Sequence, residues 1–271
     1  MRIIRNLDRI ASPRPSRHPQ LMSSTRRLRV ALGTWVAIET RAGDPATEGA
    51  AIEAAYACID RLERWMHPHR EGSDLARVNA AAPHTPLEIQ SETWRVLKLA
   101  RRLHDLTDGV FDPCLPRREG RLQDIDMAHD EPKLVCRAPV AIDLGGIAKG
   151  HAIDRAVETL QDHGCSSGLV NAGGDLRVFG DRDEMILLRQ SATYRQLSLR
   201  DAALAVSDLE ATERPAEHQG YYSRTTQHPT RRYAAVIART AVAADALTKC
   251  VLLCTPQVAA HVLHELEAQS V

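Results

Sequence analysis

Alternating apolar and polar residues predict strands in several parts of the chain. Apolar side chains occupy every second position over residues 28–38, which is the period of a half-buried strand. Apolar and β-branched residues likewise predict strands over residues 168–179, 197–206 and 233–238. The apolar segment 185–188 is predicted to pair antiparallel with the 168–179 strand.

Helical spacing of apolar residues predicts the helices. From Ala51 onward apolar residues recur at the helical period until Pro68 ends the pattern, whereas residues 43–49 are predicted as a loop. Further helices are predicted after Ser73 and over residues 91–106, 147–160, 242–254 and 256–268. Strands and helices do not alternate as in a doubly wound sheet. The pattern therefore predicts an α+β fold with antiparallel strands and helices on one side.

Charge and length narrow the function classes. The 271 residues can bury a substantial core, and 35 basic side chains balance 35 acidic ones. With a net charge of zero, electrostatic attraction does not favour nucleic acid or a membrane surface as a partner. Arginines and prolines concentrate near the amino terminus, which predicts a disordered basic tail over residues 1–25. Residues 26–271 are predicted to form a single domain.

The cysteine spacing and the apolar run near the amino terminus bear on the cellular compartment of the protein. The six cysteines show no zinc-type pairing, and a reduced, cytoplasmic protein is the simpler interpretation. The apolar run over residues 30–38 is too short to span a bilayer, so we expect no membrane anchor and no secretion signal there. The periplasm is the alternative location.

The segment from Asp143 to Gly150 carries the first candidate chemistry. Gly145 and Gly146 lack a Cβ, so the backbone can approach a bulky anion closely. Lys149 supplies a cation at the start of a predicted helix, whose positive end faces the same place. These residues predict a diphosphate site, with a simple tight turn as the alternative.

A second glycine motif strengthens that prediction. Gly173, Gly174 and Asp175 repeat the theme after the predicted helix that follows the first motif. Two such turns flanking one helix predict that a diphosphate lies between them. For Asp143 and Asp175 a structural role, in which the carboxylate accepts hydrogen bonds from the amides of the glycine turns, is the alternative.

These motifs resemble those of the ApbE-type family, the FAD:protein FMN transferases. Six matches occur in order along the chain, at Gly33-Thr34, Ser73 with Asn79, and residues 107–113, 143–150, 171–175 and 244–247. The resemblance implies an ApbE-type fold of mixed, largely antiparallel sheets with flanking helices, in two intimately joined lobes that hold the flavin. It implies that FAD is the substrate, that FMN moves to a threonine hydroxyl of an acceptor protein, and that AMP is released.

The resemblance also implies roles for individual residues. Mg²⁺ would bind the backbone carbonyl of Ala148 and the carboxylate of Asp245, since this ion prefers hard oxygen ligands. Ser73 and Asn79 would belong to the FAD-binding residues. A structural role for Asp245, as a helix-capping or surface carboxylate, is the alternative.

Two departures from the family pattern affect these expectations. Lys249 replaces the family's threonine four positions after Asp245, and the two share a helix face. A lysine cannot ligate Mg²⁺, but it could supply positive charge itself, or it could mark a decayed site. The family's histidine stretch is also broken, which leaves His228 as the candidate base for the attacking hydroxyl.

Three functions are therefore consistent with the sequence. The retained glycine motifs and Asp245 favour an FMN transferase. Lys249 and the broken histidine stretch favour a non-catalytic FAD-binding protein or flavin carrier. An FAD pyrophosphatase is the third function, in which water replaces the acceptor threonine.

Overall fold

The computed structural model describes residues 24–116, 118–128, 130–190, 193–209 and 231–271. The strands found there are β1 (Thr25–Ala31), β2 (Thr34–Arg41), β3 (Pro86–Glu88), β4 (Ile125–Met127), β5 (Lys133–Cys136), β6 (Ser167–Ala172), β7 (Asp175–Phe179), β8 (Asp183–Gln190), β9 (Thr193–Arg200), β10 (Ala203–Asp208), β11 (Tyr233–Ala238) and β12 (Gln269–Ser270). The α-helices are α1 (Pro45–Met66), α2 (Asp74–Ala80), α3 (Ser91–Leu106), α4 (Ala148–Asp162), α5 (Ala241–Leu253) and α6 (Pro256–Glu265).

The central element is a seven-stranded sheet. Its strand order is β1-β2-β6-β7-β10-β11-β12, and every neighbouring pair is antiparallel. A three-stranded sheet, β3-β5-β4, and a two-stranded sheet, β8-β9, are antiparallel as well. Sheets with separate helices in this arrangement confirm the predicted α+β class.

The two faces of the large sheet are covered differently. Val36, Ile38 and Val170 point to one face, where they join the helices in the main hydrophobic core. On the other face the β8-β9 hairpin packs Leu188 and Leu199 against strands β7, β10 and β11, which forms a second, smaller core. The middle strands are therefore buried on both faces, and the candidate site described below lies on the helical side.

The single strand predicted over residues 28–38 is wrong, because the segment is a hairpin of β1 and β2. Leu32 and Gly33 form the turn with φ of 54° and 68°, which is typical of two-residue hairpin loops. Ala31 pairs with Thr34, so even-numbered residues change faces across the turn. Leu28 and Val30 are consequently 56% and 68% exposed, whereas Val36, Ile38 and Thr40 of β2 are buried.

Two other predicted strands are also hairpins or strand pairs. Residues 168–179 form β6 and β7 around the Gly173-Gly174 turn, and residues 197–206 are divided between β9 and β10. The pairing predicted for residues 185–188 is wrong, because they lie in β8 and pair with β9. Apolar residues resume directly after each turn because β7 and β10 are buried on both faces, so the two strands of each pair resemble one long strand in the sequence.

The predicted helices are confirmed, with one extension. Helix α1 begins at Pro45, where the side chain of Asp44 accepts hydrogen bonds from the Ala46 and Thr47 amides. Most of the loop predicted over residues 43–49 is therefore helical. Helix α6 ends at Glu265, and the residues after it add β12 to the edge of the sheet.

The remaining predictions concern the ends of the chain and its cysteines. Residues 1–23 of the predicted tail lie outside the described residues, and Thr25 already begins β1. A single domain over residues 26–271 stays a prediction. In the described ranges no helix has both the length and the apolar character needed to cross a membrane. All six cysteines are buried, and none of them forms a disulfide.

Candidate functional site

The first glycine turn precedes helix α4. Asp143 Oδ1 accepts a hydrogen bond from the Gly145 amide at 2.7 Å, and the Asp143 amide donates to the Pro113 carbonyl at 3.0 Å. Gly145 is exposed, and α4 begins three residues later. The carboxylate of Asp143 therefore holds the turn that presents Gly145, as in the structural alternative, and its contact with FAD stays a prediction.

The second glycine turn joins β6 to β7. The Gly174 amide donates to Asn171 Oδ1 at 3.0 Å, and the Gly173 amide donates to the Trp35 carbonyl at 3.1 Å. A Cβ at Gly173 would lie 2.5 Å from Thr34 Oγ1, so only glycine allows this approach. The Gly33-Thr34 motif therefore supports the second turn, whose two glycines are exposed on their other side.

An ion pair connects the two turns. Lys149 Nζ, at the start of α4, lies 2.7 Å from Asp175 Oδ2 at the start of β7. Asp175 is buried, and its Oδ1 accepts a hydrogen bond from the Val206 amide at 3.0 Å. The structure thus brings together the predicted residues Gly145, Gly146, Lys149, Gly173, Gly174 and Asp175.

The carboxyl group of Asp175 is electrostatically unusual. Burial and the nearby Asp245 carboxylate raise the pKa of Asp175, and the ammonium groups of Lys149 and Lys249 oppose that rise. Unlike Asp143, Asp175 accepts no hydrogen bond from the amides of its own glycine turn among the described residues. Its partners are a lysine and a neighbouring strand.

Asp245 lies fully buried in helix α5. Its Oδ2 accepts a hydrogen bond from the Gly150 amide at 3.0 Å, in the first turn of α4. The carboxylate therefore compensates the positive end of that helix, as the structural alternative for Asp245 proposed. A Cβ at Gly150 would lie 2.3 Å from the Ala241 carbonyl oxygen, so glycine is needed where the two helices meet.

The capping between the two helices is reciprocal. Asp154 of α4 accepts hydrogen bonds from the Ala241 and Val242 amides, both at 2.8 Å, at the start of α5. Arg177 of β7 lies 2.7 Å from the same carboxylate. Sequence reasoning missed Asp154. The available signal was a charged residue between Ile153 and Ala156 on the apolar face of a helix.

Lys249 lies one turn after Asp245 and reaches back to it. Its ammonium contacts Asp245 Oδ1 and donates to the Asp245 carbonyl oxygen at 3.1 Å. The side chain is only 11% exposed. A Cβ at Gly146 would lie 3.3 Å from Lys249 Cε, which places the lysine stem directly beside the first glycine turn. The pair is therefore an internal part of the site and not a surface pair.

We call Lys149, Asp175, Asp245 and Lys249 the charge cluster. Each carboxylate is paired with one ammonium, so the formal charges of the cluster sum to zero. The two carboxylates are close enough to influence each other, as the raised pKa of Asp175 shows. The cluster lies between the two exposed glycine turns, and its ammonium groups can donate hydrogen bonds to an anion that binds there.

The cluster does not fit Mg²⁺ as it stands. One oxygen of Asp245 contacts the Lys249 ammonium, and the other accepts the Gly150 amide. Ala148 is the first residue of α4, where a carbonyl ordinarily accepts a hydrogen bond from within the helix. Among the described residues no group of three or more His, Cys, Asp or Glu side chains could hold a metal ion. Metal binding by Ala148 and Asp245 stays a prediction.

Ser73 and Asn79 have structural partners. Ser73 Oγ accepts the Ala76 amide at 3.0 Å as the N-cap of α2, and it donates to the His67 carbonyl at 2.6 Å. Asn79 forms two hydrogen bonds to the backbone of Ile142, at 2.6 and 3.0 Å, and so fixes the residue before Asp143. Their contact with FAD stays a prediction, and His228 lies outside the described residues.

A family model matches most of the chain. The model described as the ApbE family matches residues 32–270. The chain belongs to the ApbE family. Among solved structures, the ApbE protein of Thermotoga maritima is similar with a TM-score of 0.77 at 23% identity, over 92% of this chain and 94% of that one. The flavin transferase ApbE of Vibrio cholerae is similar with a TM-score of 0.74 at 18% identity, over 92% of each chain. The predicted ApbE-type fold is confirmed.

The match to ApbE-family relatives with curated names covers a smaller share of each relative. The FAD:protein FMN transferase of Treponema pallidum is 24% identical over 185 residues, which are 57% of this chain and 51% of that protein. The protein of the same name from Chlamydia pneumoniae is 26% identical over 208 residues, 66% of this chain and 63% of that protein. The chain spans about half the length of the first of these relatives.

Proposed function

We propose that this ApbE-family protein is an FAD:protein FMN transferase. It binds FAD, transfers FMN to a threonine hydroxyl of an acceptor protein and releases AMP. The observation that carries the proposal is the convergence of the two exposed glycine turns on the Lys149–Asp175 pair at the start of α4. The names of the relatives support the same activity.

The proposed pyrophosphate position lies between the two turns. Glycines allow the backbone to approach the phosphate oxygens, and a Cβ at Gly174 would meet nothing within 4 Å. Lys149 is 30% exposed and paired with a carboxylate, so its ammonium can turn toward a bound anion. Neutralisation of charge on the phosphate oxygens is the main requirement of phosphoryl transfer.

The proposed reaction exchanges one bond for another. The acceptor threonine oxygen bonds to the FMN phosphorus, the bond from that phosphorus to the bridging oxygen breaks, and AMP leaves with the bridging oxygen. The threonine proton passes to a base, for which His228 stays the predicted residue. Binding of Mg²⁺ by Asp245 also stays a prediction. In this arrangement the ion would have to displace the Lys249 ammonium from the Asp245 carboxylate.

A flavin carrier is the second candidate, favoured by one observation. Both carboxylates of the charge cluster already have an ammonium partner within the protein, as expected of a site that binds an anion without turning it over. A carrier would retain FAD intact. An FAD pyrophosphatase would release FMN and AMP without an acceptor.

The deciding experiment is intact-protein mass spectrometry of a threonine-bearing acceptor protein incubated with this chain and FAD. A transferase adds the mass of one FMN minus water to the acceptor, and an acceptor with the target threonine changed to alanine stays unmodified. FMN and AMP without a modified acceptor would instead indicate the pyrophosphatase. Unchanged FAD bound to the protein would indicate the carrier.

The proposed partners are FAD and the acceptor protein, and nucleic acid is not among them. We propose a cytoplasmic location, with the periplasm as the alternative. Cell fractionation followed by immunoblotting distinguishes the two compartments.

A further inference from the structure

We propose that Lys249 is a built-in replacement for the divalent metal at this site, so that the protein acts on the FAD pyrophosphate without Mg²⁺. The inference rests on the proposed function for its chemistry, but the claim about metal binding can be tested without it. It departs from the family resemblance, which implies that Asp245 is a metal ligand.

The contact between Lys249 and Asp245 opposes metal binding by this carboxylate. The carboxylate is fully buried, and a buried carboxylate requires a charged or hydrogen-bonding partner. The Lys249 ammonium already contacts Oδ1 and also donates to the Asp245 carbonyl oxygen. A divalent ion on Asp245 would have to expel this ammonium, which would leave a largely buried lysine without its carboxylate.

The position of the lysine stem fixes where the ammonium lies. A Cβ at Gly146 would contact Lys249 Cε, Cγ and Cδ at 3.3, 3.5 and 3.7 Å. The stem therefore passes along the first glycine turn, and the fold leaves room for it there. This packing holds the ammonium between the turn and Asp245, at the edge of the proposed pyrophosphate position.

The net charge of the charge cluster also opposes the binding of a divalent ion. Two ammonium groups face two carboxylates, so the charge cluster is neutral, and a divalent ion added to the protein without FAD would leave an excess of two positive charges. Burial raises the pKa of Asp175 and the Lys249 ammonium opposes that rise, so its field reaches both carboxylates. Replacing Lys249 with threonine leaves one negative charge, which is a more favourable site for a cation.

An ammonium can supply charge and hydrogen bonds at this site. It carries positive charge and three donors, of which two are directed at Asp245, and it lacks the fixed coordination geometry of a metal. Lys149 and Lys249 together place two ammonium groups between the turns, each beside the carboxylate that offsets its formal charge. Transfer would then depend on the two lysines.

The test is a Mn²⁺ titration of the full chain followed by electron paramagnetic resonance, for the unaltered protein, Lys249→Thr, and Lys249→Thr combined with Asp245→Asn. We expect no Asp245-dependent Mn²⁺ site in the unaltered protein, one site in Lys249→Thr, and loss of that site in the double variant. Lys133→Thr, at an exposed lysine paired with Glu131, is the matched control and should resemble the unaltered protein. Circular dichroism confirms that each variant is folded.

Two results would overturn the inference. Equal Mn²⁺ binding by the unaltered protein and Lys249→Thr would show that Lys249 does not exclude the metal. No Asp245-dependent site in either protein would show that Asp245 is not the place that Lys249 takes over.

AMP release from FAD provides the second readout. The unaltered protein should keep its rate within about twofold in EDTA, whereas Lys249→Thr should lose at least about tenfold and recover it in Mg²⁺. Loss of the unaltered protein's rate in EDTA would contradict the inference. Absence of AMP release in the presence of the acceptor protein would contradict the proposed function and action on FAD without Mg²⁺, and the Mn²⁺ titration would still decide whether Lys249 excludes the metal from Asp245.

Discussion

The two lysine–aspartate pairs of the charge cluster have the same chemical groups but different surroundings. Lys149 and Asp175 come from different elements, and Lys149 is 30% exposed. Lys249 and Asp245 lie one turn apart on a single helix, and neither is more than 11% exposed. The partly exposed ammonium of Lys149 can contact a ligand from its place beside Asp175, whereas the Lys249–Asp245 pair is buried on both sides and resists separation. The first pair is therefore suited to contact the substrate, and the second to hold fixed charge beneath it.

The largest expected difference between the pairs concerns stability. Asp245→Ala removes the cap of α4 and leaves Lys249 without its carboxylate, so we expect a loss of about 3–5 kcal/mol in the free energy of unfolding. Urea denaturation measures it. Asp126→Ala, at an exposed carboxylate beside Arg137, is the control and should change stability little. A loss as small as that of the control would show that Asp245 is dispensable to the fold.

The next effect concerns Lys149 and catalysis. Lys149→Ala removes the ammonium that can turn to the phosphates, so AMP release should fall about 30- to 1000-fold, equivalent to about 2–4 kcal/mol. Lys133→Ala serves as the matched surface control. Rates within twofold of the unaltered protein would remove Lys149 from the transfer step and weaken the contrast between the pairs.

A smaller effect concerns the packing of Lys249. Gly146→Ala places a Cβ 3.3 Å from Lys249 Cε, which the lysine stem can accommodate only by shifting, so we expect a loss of about 1 kcal/mol. Thermal denaturation measures it. Gly49→Ala, in α1 with nothing within 4 Å of the added carbon, should be neutral or slightly stabilising. Equal behaviour of the two variants would mean that the stem is free to move.

The smallest effect is a pH dependence from Asp175. Its pKa is raised on folding, so the folded state binds the proton more tightly than the unfolded state. The stability that Asp175 contributes is present below its ordinary pKa of 3.8 and is lost as the pH rises through the raised value. The unaltered protein should therefore lose stability relative to Asp175→Asn across that interval. Parallel stability curves for the two proteins would contradict the raised pKa.

The sequence was sufficient for the helices and the two glycine motifs. Helix starts carry local signals, such as Ser73, which caps α2, whereas the signal of Asp44 followed by Pro45 at α1 was overlooked in the loop predicted over residues 43–49. The motifs flank α4, so a short stretch of chain already places them near each other. The α+β class follows from the same pattern of strands and helices.

The hairpins and the packing of the site depend on information that is not local. The Leu32-Gly33 turn changes the face of even-numbered residues, which an alternating pattern does not reveal. Reciprocal capping joins Asp154 to the start of α5, 87 residues further along the chain. The burial of Lys249 had a signal that was overlooked, because α5 is apolar on nearly all sides, as buried helices are.

Calorimetric titration of the unaltered protein with FAD and with riboflavin tests the central claim most directly, because the two ligands share the isoalloxazine ring and differ by the pyrophosphate and the adenosine. If the two glycine turns and the charge cluster bind a diphosphate, FAD should bind at least about 100-fold more tightly than riboflavin, or about 2.7 kcal/mol. FMN, with a single phosphate, should lie between them. Equal affinity for FAD and riboflavin would contradict the account, because no diphosphate would then lie between the two turns.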